Sequence, residues 1–228
     1  MKKGIDAPLV PIMFLVVGIV GLVMAIISKD WTNYVFPIIF LLFGGLYLHT
    51  SLLGKYKIIE RVVRKMDLPR DAQVLDLGTG HGAFLLEVAQ RLTSPGKIIG
   101  LDIWNQGDQS GNAIEATQRN IEQLGVSDVS ELVTGNMVKL PFENNVFDSV
   151  VASLSIHNVK PKSSREKAID EAYRVLKPGG QLVVLDIEHV REYQSRLVKL
   201  GASAIQVKHA GINGMYAALS TRILTAKK

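Results

Sequence analysis

With 228 residues, 47% of them hydrophobic, and a mean hydropathy of +0.20, the chain is either one ordinary domain or a smaller domain with an appendage, and is unusually apolar for a wholly soluble protein. The formal net charge of +5 is mild, and no basic run or aromatic-basic interleaving points to nucleic acid. Cysteine is absent, which excludes disulfides, cysteine-ligated zinc or iron-sulfur clusters, and any cysteine nucleophile.

The apolar excess sits at the N-terminus. From Leu9 to Ile27 no residue is charged, enough at about 1.5 Å per helical residue to cross a hydrocarbon core of about 30 Å. A polar stretch from Ser28 to Asn33 separates it from a second apolar run, Tyr34 to about Leu53, in which Pro37, Gly44 and Gly45 are tolerable for a membrane helix. A cleaved signal peptide is the alternative for the first run, but no small-x-small cleavage site follows and the second run arrives at once. Residues 1–54 are therefore expected to form a two-helix transmembrane hairpin. Lys2 and Lys3 before it, and Lys55, Lys57, Arg61, Arg64 and Lys65 after it, outweigh Lys29 in the connection, which puts both ends on the cytoplasmic side. Trp31, Tyr34 and Tyr47 fall near the expected interfaces.

Residues 55–228 read as one domain. Strands are expected at Gln73–Leu77, Lys97–Asp102, Ser130–Thr134, Phe147–Ser153 and Gln181–Asp186, with helices at Ala83–Leu92, Ala113–Leu124 and Ser164–Leu176 between them. This alternation predicts an α/β fold, a Rossmann-like and mostly parallel sheet that binds ligands beyond the carboxyl ends of its strands. After a helix at about Glu192–Leu200, the segments Ala204–His209 and Met215–Leu224 are expected as consecutive strands that make the C-terminal end antiparallel.

The sharpest local signal is Val74-Leu-Asp-Leu-Gly-Thr-Gly-His-Gly82, an apolar strand running into a loop with glycines at 78, 80 and 82. Glycines there let backbone amides approach a ligand at a helix N-terminus. Gly78, Gly80 and Ala83 also satisfy the G-x-G-x-x-G/A dinucleotide fingerprint, with Asp102 where a ribose-binding acid belongs, so a nicotinamide enzyme is a competing reading. Asp76 argues against it, because a carboxylate two residues before the first glycine would repel a pyrophosphate but suits a ligand that carries an ammonium and a sulfonium.

Taken with Gly100-Leu-Asp-Ile, Gly135-Asn-Met, Leu140-Pro-Phe with Phe147-Asp, and Leu176-Lys-Pro-Gly-Gly, the glycine loop resembles in order and spacing the motifs of class I S-adenosylmethionine-dependent methyltransferases, notably the type 11 branch and its membrane-anchored subset. The resemblance implies S-adenosylmethionine as cofactor. It places Gly78, Thr79, Gly80 and Gly82 under the methionine part, Asp76 near its amino group, Asp102 on both ribose hydroxyls, and Ile103 or Trp104 against the adenine. Asn136 stands where the adenine amino group is usually received by aspartate, Met137 is expected to pack on the ring, and Ser153 at the next strand end is expected to touch the cofactor. Trp104 to Asn112 adds residues to a usually short turn.

A sulfonium methyl is already activated, so the protein mainly aligns an acceptor and removes a proton if needed. Ser153, Ser155, His157, Asn158, Glu188 and His189 follow the fourth and fifth strands, and His157 is the expected acceptor contact or general base, since histidine titrates near neutrality. Ser-Leu-Ser-Ile-His-Asn replaces the Asn-Pro-Pro-Tyr type of sequence of nucleobase amine methyltransferases. The expected acceptor is a small hydrophobic or lipidic molecule at the membrane; a tethered S-adenosylmethionine sensor or assembly factor without turnover is the alternative.

Overall fold

The computed structural model describes residues 3–228, so Lys2 lies outside the described residues. The chain opens with α1 (Leu9–Ser28) and, after a 3-10 turn at Trp31–Tyr34, returns through α2 (Val35–His49). Asp30 caps that turn, accepting a hydrogen bond from the Thr32 amide at 3.0 Å. The two helices approach closely where glycine faces a large side chain: a Cβ on Gly18 would stand 2.7 Å from Leu41, and one on Gly44 would stand 2.8 Å from Leu15. The remaining faces, including Leu9 and Phe36, each 72% exposed, are left uncovered by the other described residues. Helices apolar on every side with uncovered outer faces suit a hydrocarbon solvent, and α1 and the helical stretch Trp31–Val63 that contains α2 are each long and apolar enough to cross one.

The expected boundary after residue 54 is not a linker. α2 passes through a π-helical turn, Thr50–Gly54, directly into α3 (Lys55–Val63), giving one helical rod from Trp31 to Val63. Gly54 is required at this joint, because the Asn213 carbonyl occupies the place of a Cβ. α3 buries Ile58, Ile59, Val62 and Val63 against Phe84 and its neighbours, so the hairpin is continuous with the core of the following domain.

That domain is built on β1 (Gln73–Leu77), β2 (Lys97–Asp102), β3 (Ser130–Thr134), β4 (Phe147–Ser153), β5 (Leu176–Asp186), β6 (Ser203–His209) and β9 (Arg222–Lys227), in the order β3-β2-β1-β4-β5-β9-β6. β3 through β5 are mutually parallel, and β9 inserts antiparallel between β5 and β6. Helices α4 (Ala83–Ala89), α5 (Ile114–Leu124), α6 (Lys162–Val175) and α7 (Val190–Lys199) cover the two faces. Alternation along the central strands sends Val74, Val151 and Val183 to the α3/α4 side and Leu75, Val150, Ala152 and Leu182 to the α6/α7 side.

Two expectations differ from what is seen. The segment expected as a single strand over Met215–Leu224 is broken into β7 (Met215–Tyr216), β8 (Leu219–Ser220) and the start of β9, because the chain reverses at Ala217 with φ of 53°. The small β7–β8 hairpin then packs on the helical joint, with Thr50 Oγ1 donating to the Met215 carbonyl at 2.7 Å and Tyr47 edge-on to Tyr216. β5 also begins at Leu176 rather than Gln181, since Phe147 already pairs with Leu176 ahead of the Lys-Pro-Gly-Gly bend.

Candidate active site

β1 delivers Asp76 and then the glycine loop to the carboxyl end of the sheet. Gly78 and Gly80 have φ of 70° and 51°, a left-handed conformation that costs side-chain-bearing residues, and a Cβ on Gly78 would overlap the Ser155 side chain. Asp76 is buried beneath this loop. Its Oδ2 accepts from Thr79 Oγ1 at 2.7 Å and from the Leu85 amide at 3.1 Å. Burial pushes its carboxyl up to about 7, outweighing the two hydrogen bonds, and the neighbouring Asp102 charge adds to the rise.

Asp102, at the end of β2, organises the opposite side. Its Oδ2 accepts from the Gly80 amide at 2.8 Å, and its Oδ1 from the Trp104 amide at 2.6 Å and Asn112 Nδ2 at 3.3 Å. A carboxylate offers about four lone-pair sites, so one position on Oδ2 stays open. Asn112 is buried and its Oδ1 has no hydrogen-bond partner among the described residues. An unpaired buried acceptor beside a carboxylate with one open site fits a ligand that brings two hydroxyl donors, as a ribose does. The long turn 104–112 is anchored at its two ends, with Asn105, Gln106, Gly107 and Gly111 exposed between them: Trp104 Nε1 donates to Thr134 Oγ1 at 2.8 Å, and Asn112 reaches back to Asp102.

These groups line a cavity of about 330 Å³, within the usual range of small-molecule sites. Asp76, Gly78, Thr79, Gly80, Asp102, Ile103, Asn136, Met137 and Ser153 all contribute to its wall, as do Ser155 and Asn158. Ile103 is 58% exposed there, and the Asn136 carbonyl accepts from the Val138 amide at 3.1 Å, which leaves its second lone pair available. Gly82 lies outside the wall, where it opens α4 with φ of 84°. Trp104 is also outside it, turned toward β3.

His157 is not brought to the wall either. Its Nδ1 meets Asp186 Oδ1 at 2.5 Å and its amide donates to Asp186 Oδ2 at 3.2 Å, while Tyr193 donates to the same oxygen at 3.2 Å. Burial pulls the imidazole down, but the hydrogen bond and charge of Asp186 outweigh it and the net direction is upward. A raised folded-state pKa stabilises fully below the ordinary imidazole value of about 6.5 and is lost as pH rises through the folded value. Accordingly His157→Gln is expected to lower the melting temperature by about 2–4 °C at pH 6 and by less at pH 9, a trend that thermal melts across that range would check. Glu188 and His189 also stay off the wall; His189 pairs with Glu192 at 3.1 Å at the start of α7.

The wall also includes Asp6 just before α1 and Lys55 and Tyr56 at the start of α3, which the sequence does not single out as binding groups, together with Asn105, Asp108 and Gln109 of the long turn. Asp6 and Lys55 form a pair at 2.6 Å with the lysine side chain only 5% exposed. The one available signal is that Asp6 stands as a lone acid at the edge of an uncharged run.

Over 127 residues the chain is 35% identical to the demethylmenaquinone methyltransferase of Lactiplantibacillus plantarum, covering 56% of this chain and 50% of that protein. It is 36% identical over 134 residues to the ubiquinone/menaquinone biosynthesis C-methyltransferase UbiE of Haemophilus ducreyi, covering 58% of this chain and 48% of that one. The chain thus spans about half the length of these relatives. Among solved structures, geranyl diphosphate methyltransferase in complex with S-adenosylmethionine superposes with a TM-score of 0.61 at 16% identity, covering 79% of this chain and 87% of that one, a likeness of fold. The model of the ubiE/COQ5 methyltransferase family matches residues 49–198, from the end of α2 through α7, and the chain belongs to that family.

Proposed function

We propose that the protein transfers a methyl group from S-adenosylmethionine to a lipophilic, quinone-like ring presented at a membrane. The observation that carries this reading is the composition of the cavity wall: the strand ends that suit a nucleoside share it with Asp6, Lys55 and Tyr56, where the two apolar helices meet the catalytic domain. An acceptor with a hydrocarbon tail could then place its ring in the cavity while the tail stays in lipid.

The chain's own residues divide the work. Asp76 offers a buried negative charge to an ammonium, and the open site on Asp102 with Asn112 Oδ1 offers acceptors to a diol. Ile103 and Met137 offer apolar faces to a purine, and Asn136 offers a carbonyl to its amino group. Bound S-adenosylmethionine would supply an electrophilic sulfonium methyl, which needs alignment and exclusion of water more than it needs an acid or base. His157 acts indirectly in this reading: its clasp on Asp186 holds the 153–159 loop, which supplies Ser153, Ser155 and Asn158 to the cavity. The helical hairpin is the anchor, with the exposed Lys3, Lys57 and Arg61 on the side that faces anionic headgroups.

The test uses the full chain in lipid nanodiscs with methyl-labelled S-adenosylmethionine and a prenylated hydroquinone that lacks one ring methyl. Label on a ring carbon is the expected result. Cofactor binding without transfer to the hydroquinone or to any component of a membrane extract would instead favour a tethered sensor.

A further inference from the structure

The segment ahead of α1 is built into the site. Gly4 to Ala7 pairs with the 104–112 turn as a short antiparallel bridge: the Ala7 amide donates to the Asp108 carbonyl at 3.0 Å, the Ser110 amide to the Ile5 carbonyl at 3.0 Å, and the Ile5 amide to Ser110 Oγ at 2.8 Å. Gly4 is buried so closely that a Cβ would stand 2.6 Å from Gln109 and 2.7 Å from the His81 ring.

Asp6 is the centre of this contact. Its Oδ1 accepts from Lys55 Nζ at 2.6 Å and Gln109 Nε2 at 2.9 Å; its Oδ2 accepts from Tyr216 at 2.6 Å, Lys55 Nζ at 2.8 Å and Ser51 at 3.0 Å. These donors belong to the long turn, the helical joint and the β7–β8 hairpin. With its lone pairs so occupied the carboxylate is a clasp rather than a proton acceptor. The other end of the Gln109 amide continues the chain: its Oε1 accepts from the His81 amide at 3.0 Å and meets His81 Nδ1 at 2.7 Å. A carboxylate on one side and a backbone N–H on the other fix which end of the amide is which, and the Oε1 contact puts the ring proton on Nδ1. His81 lies within the glycine loop, one residue after Gly80, whose amide is held by Asp102.

We infer that Asp6 and Gln109 are positioning residues for cofactor binding, and that the N-terminal strap and the helical joint hold the glycine loop in its ligand-accepting shape through the chain Lys55–Asp6–Gln109–His81. The inference rests on the proposed cofactor. It makes the hairpin a working part of the binding site, so that detaching the strap opens the cavity on the side facing the apolar helices.

The test is titration of S-adenosylhomocysteine by calorimetry into the full-length protein in detergent, with Asp6→Ala, Gln109→Ala and their combination, and a melting temperature for each. Each single change is expected to weaken binding about tenfold or more, and the double variant by no more than about twofold beyond the weaker-binding single, because both cut the same chain. Asp6→Asn, which keeps an acceptor for Gln109 Nε2, is expected to recover a large part of the loss. Arg196→Ala cuts the ion pair to Asp170 between α7 and α6, away from the strap and the joint, and is expected to lower the melting temperature while leaving affinity within twofold. Affinities of Asp6→Ala and Gln109→Ala within twofold of the parent, or multiplicative effects in the double variant, would overturn the inference. Failure of the parent protein itself to bind would overturn the cofactor assignment instead.

Discussion

Replacing Asp102 with alanine is expected to weaken S-adenosylhomocysteine binding by about 100-fold, the equivalent of one or two charge-assisted hydrogen bonds at about 1.5–3 kcal/mol each. The size of the effect has two sources. The open site on Oδ2 is lost to the ligand, and the groups that Asp102 holds lose their partner at the same time: the Gly80 amide in the glycine loop, and the Trp104 amide and Asn112 side chain in the long turn. Asp102→Asn preserves the volume and one carbonyl oxygen but turns the other acceptor into a donor facing a backbone N–H or the Asn112 amide, so it should fall between the alanine variant and the parent. Calorimetry with a melting curve for each variant checks the result. Binding by a folded Asp102→Ala protein within threefold of the parent would remove Asp102 from the site and weaken the nucleoside reading.

The glycine-loop side of the cavity was readable because its information is local. Val74 to Gly82 combines an apolar strand, a buried acid and glycines that only a tight turn explains, and β1 through β4 have the bounds expected from their apolar runs. The part of the wall around Asp6 was not readable, because it is assembled by contacts between distant positions: Asp6 lies 103 residues from Gln109 and 210 from Tyr216. A lone aspartate before an apolar run gives no hint of the donors that will gather on it. The joint at residues 50–54 was missed for a related reason. Propensity and hydropathy both change there, from an apolar run to a charged one, yet the helix continues because Gly54 fits under the Asn213 carbonyl and α3 finds the core. His157 shows the limit in reverse. Its type and its place after β4 suit a base, but the ring turns its Nδ1 to the fully buried Asp186 at the end of the neighbouring β5 and lies off the cavity wall. In Met215–Leu224 the apolar composition was read as one strand, although the chain turns at Ala217 to set Tyr216 against Tyr47 and Asp6.

The affinity for S-adenosylhomocysteine is expected to rise with pH up to about 7 and then level off, falling by up to tenfold for each pH unit below that value. In the ligand-free protein burial keeps the Asp76 carboxyl neutral through mildly acidic pH, and a neutral acid offers an ammonium far less than a carboxylate does. Binding the amino group must therefore draw a proton off Asp76, and the work of removing it grows as pH falls. The sign for folding is opposite. A carboxyl raised from the ordinary range of about 3.9 to about 7 stabilises the fold fully at low pH, and that contribution is lost as pH rises through 7, so the ligand-free protein should soften over the interval in which ligand affinity improves. Methylthioadenosine, which has the nucleoside and sulfur but no amino acid, is the control: its affinity should be nearly flat over the same range. Asp76→Asn should flatten the S-adenosylhomocysteine curve and lower it above pH 7, where the parent is ionised, while leaving methylthioadenosine affected only through the glycine loop. Parallel pH curves for the two ligands would show that the amino group does not meet Asp76, and that the buried acid instead serves the turn at Thr79 and Leu85.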